Sequence, residues 1–384
     1  MKNKFIFFLT FGLLLTGCGS SDLNHNFAPT PPMGWNSWNK FGCGISDQLI
    51  RQIADAMVTT GMKDAGYQYV TLDDCWQLPV RQNGHLAANP ETFPNGIKSL
   101  ADYLHAKGLK LGIYSDRGRF TCEKKAGSYN YENTDARDFA DWGVDFVKYD
   151  NCNAAAFSDQ TEDYKRMREC LNNSGRPIVF SVCAWGFQDW MPGIGDLWRT
   201  TGDINDTWAS FINNVDTNEQ YASYSSPSHW NDPDMLEVGN DGMTDVEYRS
   251  QFNLWSIMAA PLIAGNDLRH MSKTTLETLT NKEVIDVDQD PLGQQGTQVE
   301  SNGHGLLVYM KNLSDANVKA VVLFNRTDWG SPITVHWKAM GLADGKANVR
   351  DLWLHKDLGE FNNSFKSYVP SHGVVMIKVT SSNP

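Results

Sequence analysis

Residues 141–152 read Asp-Trp-Gly-Val-Asp-Phe-Val-Lys-Tyr-Asp-Asn-Cys. The short apolar run within them, Asp145–Asp150, ends not on aliphatic side chains but on Lys148-Tyr149-Asp150. In a strand, residues i and i+2 share a face, so Lys148 and Asp150 point together and Tyr149 points away. Short runs of the same kind lie at Gly34–Trp38, Tyr69–Asp73, Lys110–Ser115, Pro177–Val182, Leu197–Thr201, His229–Asp232 and Pro261–Ala264, eight in all. Helix-like segments alternate with them. Ile50, Ile53, Ala54, Met57 and Val58 precede Gly61, and Ile97, Leu100, Ala101 and Leu104 precede Gly108. Helical spacing that stops at glycine marks a helix C-terminus. Eight strand-then-helix units predict an α/β fold, a closed (β/α)8 TIM barrel over residues 29–290.

After Asp290-Pro291 the texture changes. Gly305–Asn312, Val318–Arg326, Ile333–Met340, Val349–His355 and Gly373–Val379 are strand-like runs separated by Gly, Asn, Asp and Pro clusters. They predict a C-terminal antiparallel β-sandwich over 291–384. The chain has 384 residues, of which 41% are hydrophobic, enough for a core and against wholesale disorder. Its net charge of −12, with no run of Lys or Arg, excludes a nucleic-acid surface.

The N-terminus reads as a targeting segment. Lys2 and Lys4 precede an apolar stretch, Phe5–Leu15, too short to span a bilayer as a mature helix. Leu15-Thr16-Gly17-Cys18 resembles a bacterial lipobox, which implies a signal peptide over 1–18 and a lipidated Cys18. Residues 19–28 then form a polar tether. The expected location is outside the cytoplasm, anchored by lipid to the cell envelope, with no other contact to membrane. Six cysteines remain, at 43, 75, 122, 152, 170 and 183, in a compartment that permits disulfides.

Residues that end barrel strands converge on one face. Here they are Trp35-Asn36-Ser37-Trp38, Asp73-Asp74-Cys75-Trp76, Tyr114-Ser115-Asp116-Arg117, Lys148-Tyr149-Asp150, Arg199 to Asp203, and Asn231-Asp232-Pro233-Asp234. Such a mouth binds a polyol or a metal. Of the nine histidines only His229 falls near a strand, and none has H-x-H spacing, so a zinc site is disfavoured. A Ca²⁺ or Mg²⁺ site from Asp73, Asp74, Asp232 and Asp234 stays open on residue types alone. There is no G-x-S-x-G elbow, P-loop or dinucleotide fingerprint, and no cofactor is expected. Two carboxylates in unlike environments are what glycosidic cleavage needs. Asp150, beside the Lys148 ammonium, suits a nucleophile, and Asp203, in a Gly-flanked loop, could approach a leaving group.

Residues 30–43 (TPPMGWNSWNKFGC), 69–76 (YVTLDDCW), 111–118 (LGIYSDRG), 141–152, 198–204 (WRTTGDI), 229–240 (HWNDPDMLEVGN) and 254–269 (LWSIMAAPLIAGNDLR) resemble glycoside hydrolase family 27. That family comprises α-galactosidases and α-N-acetylgalactosaminidases. The resemblance implies Asp150 as nucleophile and Asp203 as general acid/base of a retaining, exo-acting enzyme that releases terminal α-D-galactose. It also implies that Asp73 and Asp74 hold the 4-OH and 6-OH, Trp38 forms the aromatic platform, and Tyr114 and Lys148 touch the sugar. Arg199 would contact the 2-OH, and Asp234 would sit at the pocket rim. Disulfides Cys43–Cys75 and Cys122–Cys152 follow from the same source. Cys170 and Cys183 are expected to be unpaired, since an intervening strand holds them about 15–20 Å apart.

One stretch departs from the pattern. Where well-known α-galactosidases have Cys-Glu-Trp-Gly, this chain has Cys183-Ala184-Trp185-Gly186. Loss of that carboxylate opens space beside C2 and makes an α-N-acetylgalactosaminidase the nearest alternative. A β-L-arabinopyranosidase would leave the 6-OH partner idle, and a non-catalytic glycan-binding lipoprotein would have no use for both Asp150 and Asp203.

Overall fold

The computed structural model describes residues 27–342 and 345–381. The expected signal peptide, the lipidated Cys18 and tether residues 19–26 lie outside the described residues.

Eight parallel strands form the first sheet: β1 (Met33–Asn36), β2 (Tyr69–Leu72), β3 (Lys110–Asp116), β4 (Phe146–Asp150), β5 (Val179–Val182), β6 (Leu197–Arg199), β7 (Trp230–Asp232) and β8 (Leu262–Ala264). Their order is β7-β6-β5-β4-β3-β2-β1-β8. Closure occurs just beyond β7: Leu236 N–H donates to the Ile263 carbonyl at 2.8 Å, and its own carbonyl accepts from Gly265 N–H at 3.1 Å. Close strand approach explains two glycines inside the sheet. A Cβ on Gly34 would lie 2.5 Å from the Tyr69 carbonyl oxygen, and one on Gly112 would lie 2.1 Å from Thr71 Oγ1.

All eight expected strands are present. The fifth unit differs from expectation in having no α-helix: β5 leads to β6 through a single 3-10 turn, Met191–Gly193. Its flank is filled by rings instead. Tyr164, from helix Gln160–Asn172, packs on Trp190 at 5.2 Å between centroids and on Tyr149 at 5.4 Å.

Strand alternation layers the barrel interior. Tyr69, Phe146, Val179, Leu197 and Trp230 form a buried apolar plug at the strand N-termini. Two residues on, Thr71, Lys148, Ser181, Arg199 and Asp232 line a small cavity of about 30 Å³ together with Phe146 and Leu197 from the layer below. Another two residues bring Asp73 and Asp150 to the mouth. Aromatic area at the base therefore supports charge at the top.

The C-terminal region has β9 (Thr297–Ser301), β10 (Leu306–Asn312), β11 (Val318–Asn325), β12 (Ser331–His336), β13 (Lys346–Asp351), β14 (Lys356–Asn362), β15 (Ser364–Val369) and β16 (Val374–Ser381). Six form one antiparallel sheet, ordered β14-β13-β16-β11-β10-β9, and β12 pairs with β15 in the other. Val321 and Leu323 face the sandwich core with Ile333, Val335 and Ile377. Ala320, Val322 and Phe324 belong to the barrel's core instead. β11 is thus buried on both faces and joins the two regions. The strand expected over Ile333–Met340 ends at His336, and Trp337–Met340 turns into a 3-10 helix.

Cys43 is bonded to Cys75 and Cys122 to Cys152, with Cα–Cα separations of 5.2 and 5.1 Å. Cys183 is free and buried. Cys170 is disulfide-bonded, which corrects the expectation that it stands unpaired. The strand-length argument excludes only Cys183 as its partner.

Candidate active site

A pocket of about 300 Å³ opens at the strand C-termini, lined by Trp38, Asp73, Asp74, Tyr114, Lys148, Asp150, Arg199, Asp203 and Asp234 among others. All nine candidate residues named from the sequence therefore share one cavity.

Asp150 ends β4 and is 7% exposed. Its Oδ2 accepts from the Tyr114 hydroxyl at 3.0 Å, and its Oδ1 accepts from Trp185 Nε1 at 2.9 Å and Asn151 N–H at 2.8 Å. The expected ammonium partner goes elsewhere: Lys148 Nζ donates to Asp73 Oδ2 at 2.7 Å. The nucleophile candidate is held by hydrogen bonds rather than by an ion pair, because Asp73 lies closer to the Lys148 tip. The hydroxyl of Tyr114 is pushed well up by burial and by Asp150, so it stays a donor.

Asp73 and Asp74 are adjacent and nearly fully buried, yet their surroundings differ. Asp73 also accepts from Asn36 Nδ2 at 2.8 Å, beside the Lys148 charge. Asp74 has backbone donors, Cys75 N–H at 2.7 Å and Glu123 N–H at 2.9 Å, and burial raises its carboxyl above the usual range. Lys148, in spite of its burial, is held protonated by Asp73.

Arg199 serves two carboxylates. Its Nη2 lies 3.1 Å from Asp203 Oδ1 and 3.1 Å from Asp234 Oδ2. Asp234 is buried, has a left-handed φ of +81°, and accepts from Ile204 N–H at 2.8 Å, so it fixes the loop carrying Asp203. Strain of order 1–3 kcal/mol in such a conformation persists only where surrounding structure holds it. The Asp203 side chain is 85% exposed. Partial desolvation raises its carboxyl, but Arg199 and Lys148 outweigh that and leave it below the ordinary value. The Asp203 loop is also tied down at Asp206, which accepts from the Tyr248 hydroxyl at 2.8 Å and from Gly242 N–H at 2.6 Å.

These pairings bear on the divalent-cation alternative. Asp73 is already matched by Lys148 and Asp234 by Arg199, so the quartet Asp73, Asp74, Asp232 and Asp234 is not a cluster of uncompensated charge. Asp232, whose Oδ1 accepts from Asp234 N–H at 2.9 Å, is pushed up by burial to about 6.

Three contributors escaped the sequence reading. Trp185 donates to Asp150 from a backbone with φ +62°. Its only sequence signal was its place after β5, beside the departing Ala184. Asn36, although quoted at the first strand end, was given no role. Asp116 accepts from Gly118 N–H at 2.6 Å and Cys152 N–H at 2.7 Å, and so braces the segment behind Asp150.

A (β/α)8 barrel whose mouth gathers a clamped carboxylate, an exposed one and a set of polar hydroxyl partners is the architecture of a glycoside hydrolase. Residues 30–290 match the family model described as Alpha galactosidase A, and residues 303–379 match the Alpha galactosidase C-terminal beta sandwich domain. An Alpha-galactosidase of Oryza sativa subsp. japonica is 51% identical over 347 residues, which cover 89% of this chain and 82% of that protein. Alpha-galactosidase A of Cellvibrio japonicus is 42% identical over 397 residues, covering 97% of each. The crystal structure of α-galactosidase I from Mortierella vinacea superposes with a TM-score of 0.86 at 38% identity, covering 92% of this chain and 99% of that one. The chain belongs to the α-galactosidase family, glycoside hydrolase family 27.

Proposed function

We propose that the protein is an exo-acting, retaining α-galactosidase that removes terminal α-D-galactosyl residues from oligo- or polysaccharides. The observation that supports this most is the contrast within one pocket. Asp150 has both oxygens fixed by donors, while Asp203 stands exposed on its own loop. In the first step an Asp150 oxygen attacks the anomeric carbon, the glycosidic C–O bond breaks, and Asp203 gives its proton to the departing oxygen. In the second, water attacks that carbon, the Asp150 ester bond breaks, and Asp203 takes the water's proton. Asp73, Asp74 and Lys148 supply buried partners for the 4-OH and 6-OH, so a C4 epimer would leave a desolvated group unpaired. Trp38 forms the platform, Tyr114 holds the nucleophile, and Arg199, braced by Asp234, faces the 2-OH. No cofactor takes part in these steps.

Ala184 favours a second reading, α-N-acetylgalactosaminidase, because β5 ends without the carboxylate that would meet a 2-OH. Initial rates on 4-nitrophenyl α-D-galactopyranoside and 4-nitrophenyl N-acetyl-α-D-galactosaminide separate the two. Turnover of the galactoside alone is expected. Preference for the acetamido sugar would replace the first reading by the second.

The N-terminal anchor belongs to the same proposal: an exported enzyme tethered through lipid on Cys18 to the bacterial cell envelope, a reading that requires the Cys18 sulfur to carry lipid and so not to be the partner of Cys170. No helix among the described residues is long and apolar enough to cross a membrane. Mass spectrometry of the mature N-terminus in a bacterial host should find diacylglyceryl on Cys18. Recovery of Cys18 in a disulfide would overturn the anchor.

A further inference from the structure

The loop that carries Asp203 is fastened at two points beyond that residue. Asp206 accepts from the Tyr248 hydroxyl and from Gly242 N–H, and Trp208 opens the helix Trp208–Glu219 into which the loop runs. Tyr248 lies in the first turns of the helix Asp245–Ile257. Both fastenings are made within the barrel, yet one side chain of the sandwich reaches both. That side chain is His372, in the turn between β15 and β16.

Its ring stacks on the Trp208 indole, with centroids 4.0 Å apart and planes 9° from parallel. Its Nδ1 lies 2.7 Å from Oε1 of Glu247, the neighbour of Tyr248 in the chain. The other Glu247 oxygen accepts from Thr244 N–H at 2.8 Å and closes the capping box of that helix. Partial burial raises the Glu247 carboxyl, but Thr244 N–H and His372 outweigh it and leave the group below its ordinary value, an acceptor for the imidazole. Ser250 Oγ, one turn further on, donates to the His372 carbonyl at 2.6 Å. The turn is built to present this ring. His372 has a left-handed φ of +54°, uncommon outside glycine and kept only where the surroundings hold it. Ser371 Oγ donates to the Thr327 carbonyl at 2.8 Å, His372 N–H to the same oxygen at 3.3 Å, and Nε2 faces Asp328 Oδ1 at 3.2 Å. None of His372, Glu247 and Trp208 lines the pocket that holds Asp150 and Asp203.

We propose that His372 is a positioning residue for the acid/base: through this one imidazole the sandwich fixes the two helix starts that fasten the Asp203 loop, and so sets where its carboxyl meets the departing oxygen. This rests on the galactosidase reading and deepens it, giving the C-terminal domain a part in proton transfer. The Asp203 side chain is 85% exposed and has Arg199 as its one hydrogen-bond partner among the described residues. Its placement therefore comes from the ends of its loop. Proton transfer needs heavy atoms within about 2.6–3.2 Å, so a loop shift of about 1 Å is felt in the step that needs the proton. Attack by Asp150, built on the opposite flank, is spared.

His372→Ala and His372→Asn test this against wild type, well below every melting transition, on a galactosyl-α-1,6-glucose disaccharide and on 2,4-dinitrophenyl galactoside. The sugar alkoxide needs a proton to depart and the dinitrophenolate does not. His372→Ala should lose roughly ten-fold in kcat/KM on the disaccharide and stay within about two-fold on the dinitrophenyl substrate. Asn tolerates a left-handed backbone and can set its amide nitrogen near the place of Nδ1, so His372→Asn should recover part of the loss. Added to Asp203→Asn, His372→Ala should cost nothing further on the disaccharide, because two changes acting through one group do not add. Equal losses on both substrates would leave His372 a packing residue and overturn the proposal. So would a loss that multiplies in full with Asp203→Asn, or wild-type rates in both variants. Should His372→Ala fail to fold, His372→Asn carries the same test in both backgrounds, with a smaller loss expected on the disaccharide alone. If wild type hydrolysed neither galactoside, the galactosidase reading itself would fall.

Discussion

The two flanks of the pocket are built on opposite principles. On the β2–β4 flank, Asp73, Asp74 and Asp150 are nearly sealed from water, and every one of them accepts hydrogen bonds from fixed donors. Cys43–Cys75 and Cys122–Cys152 staple the same loops. On the β6–β7 flank, the Asp203 side chain stands on an exposed loop, and Arg199 is its one hydrogen-bond partner among the described residues. A nucleophile gains from preorganisation, because each donor that positions it also stabilises its charge before reaction. An acid/base must give up and regain a proton in every turnover, so an exposed position that exchanges with water suits it. On the proposed mechanism, the difference in burial matches Asp150 to the first role and Asp203 to the second.

Asp150→Asn should break the clamped flank most severely. The amide keeps the shape but cannot form the glycosyl ester, so kcat should fall by about 10⁴-fold or more while the circular dichroism spectrum and melting temperature stay near wild type. Near-normal turnover would remove Asp150 from the mechanism.

Asp203→Asn tests the open flank and should be selective. On a disaccharide, where the departing alkoxide needs the proton, a loss of roughly 10²–10⁴-fold is expected, against a much smaller loss on a dinitrophenyl galactoside. The pH dependence has a definite sign. Arg199 and Lys148 hold Asp203 below its ordinary value, so its protonated fraction shrinks as pH rises. In wild type, kcat/KM on the disaccharide should therefore fall as pH rises from the acid side, with the decline starting lower than an unperturbed aspartate would set it. In the variant that decline should vanish. Equal losses on both substrates would argue against the acid role.

How much of this was legible in the sequence follows from the same physics. Strand periodicity of two, with polar residues at each end, was enough to place eight strands and their converging residues, because alternation and barrel closure leave little freedom. The missing helix of the fifth unit was not legible: residues 183–196 contain Trp185, Phe187, Trp190 and Met191, apolar as a helix face would be, but Phe187 stacks on Tyr221 and Trp190 packs on Tyr164 from irregular backbone. In the sandwich, β9, β14 and β15 were missed: β9 and β14 are edge strands, largely polar and exposed, and β15, in the two-stranded sheet with β12, has only Phe365 and Val369 buried among polar neighbours. Partners that depend on side-chain reach were also hidden. Sequence spacing put Lys148 beside Asp150, yet its long stem carries the ammonium to Asp73 on a different strand. The indole of Trp185 reaches Asp150 through a left-handed turn that no periodicity encodes.

The smallest effect concerns stability rather than turnover, and it sharpens the contrast between sealed and open carboxyls. Burial pushes Asp116 to about 8, Glu237 to about 7 and Asp232 to about 6, from ordinary values of 3.8, 4.5 and 3.8. Between the unfolded and folded values, the folded chain binds protons that the unfolded chain has lost. Stability from these groups is complete below about pH 4 and declines as pH rises through the folded values. The melting temperature should therefore be higher at pH 5 than at pH 8. Asp116→Asn should lower it at both, since an amide oxygen can accept from Gly118 N–H or Cys152 N–H while its NH₂ opposes the other donor, a cost of about 1–3 kcal/mol. Because that amide cannot ionise, the difference between pH 5 and pH 8 should also narrow. A variant as pH-dependent as wild type would show that Asp116 is ionised throughout, with its two backbone donors outweighing its burial.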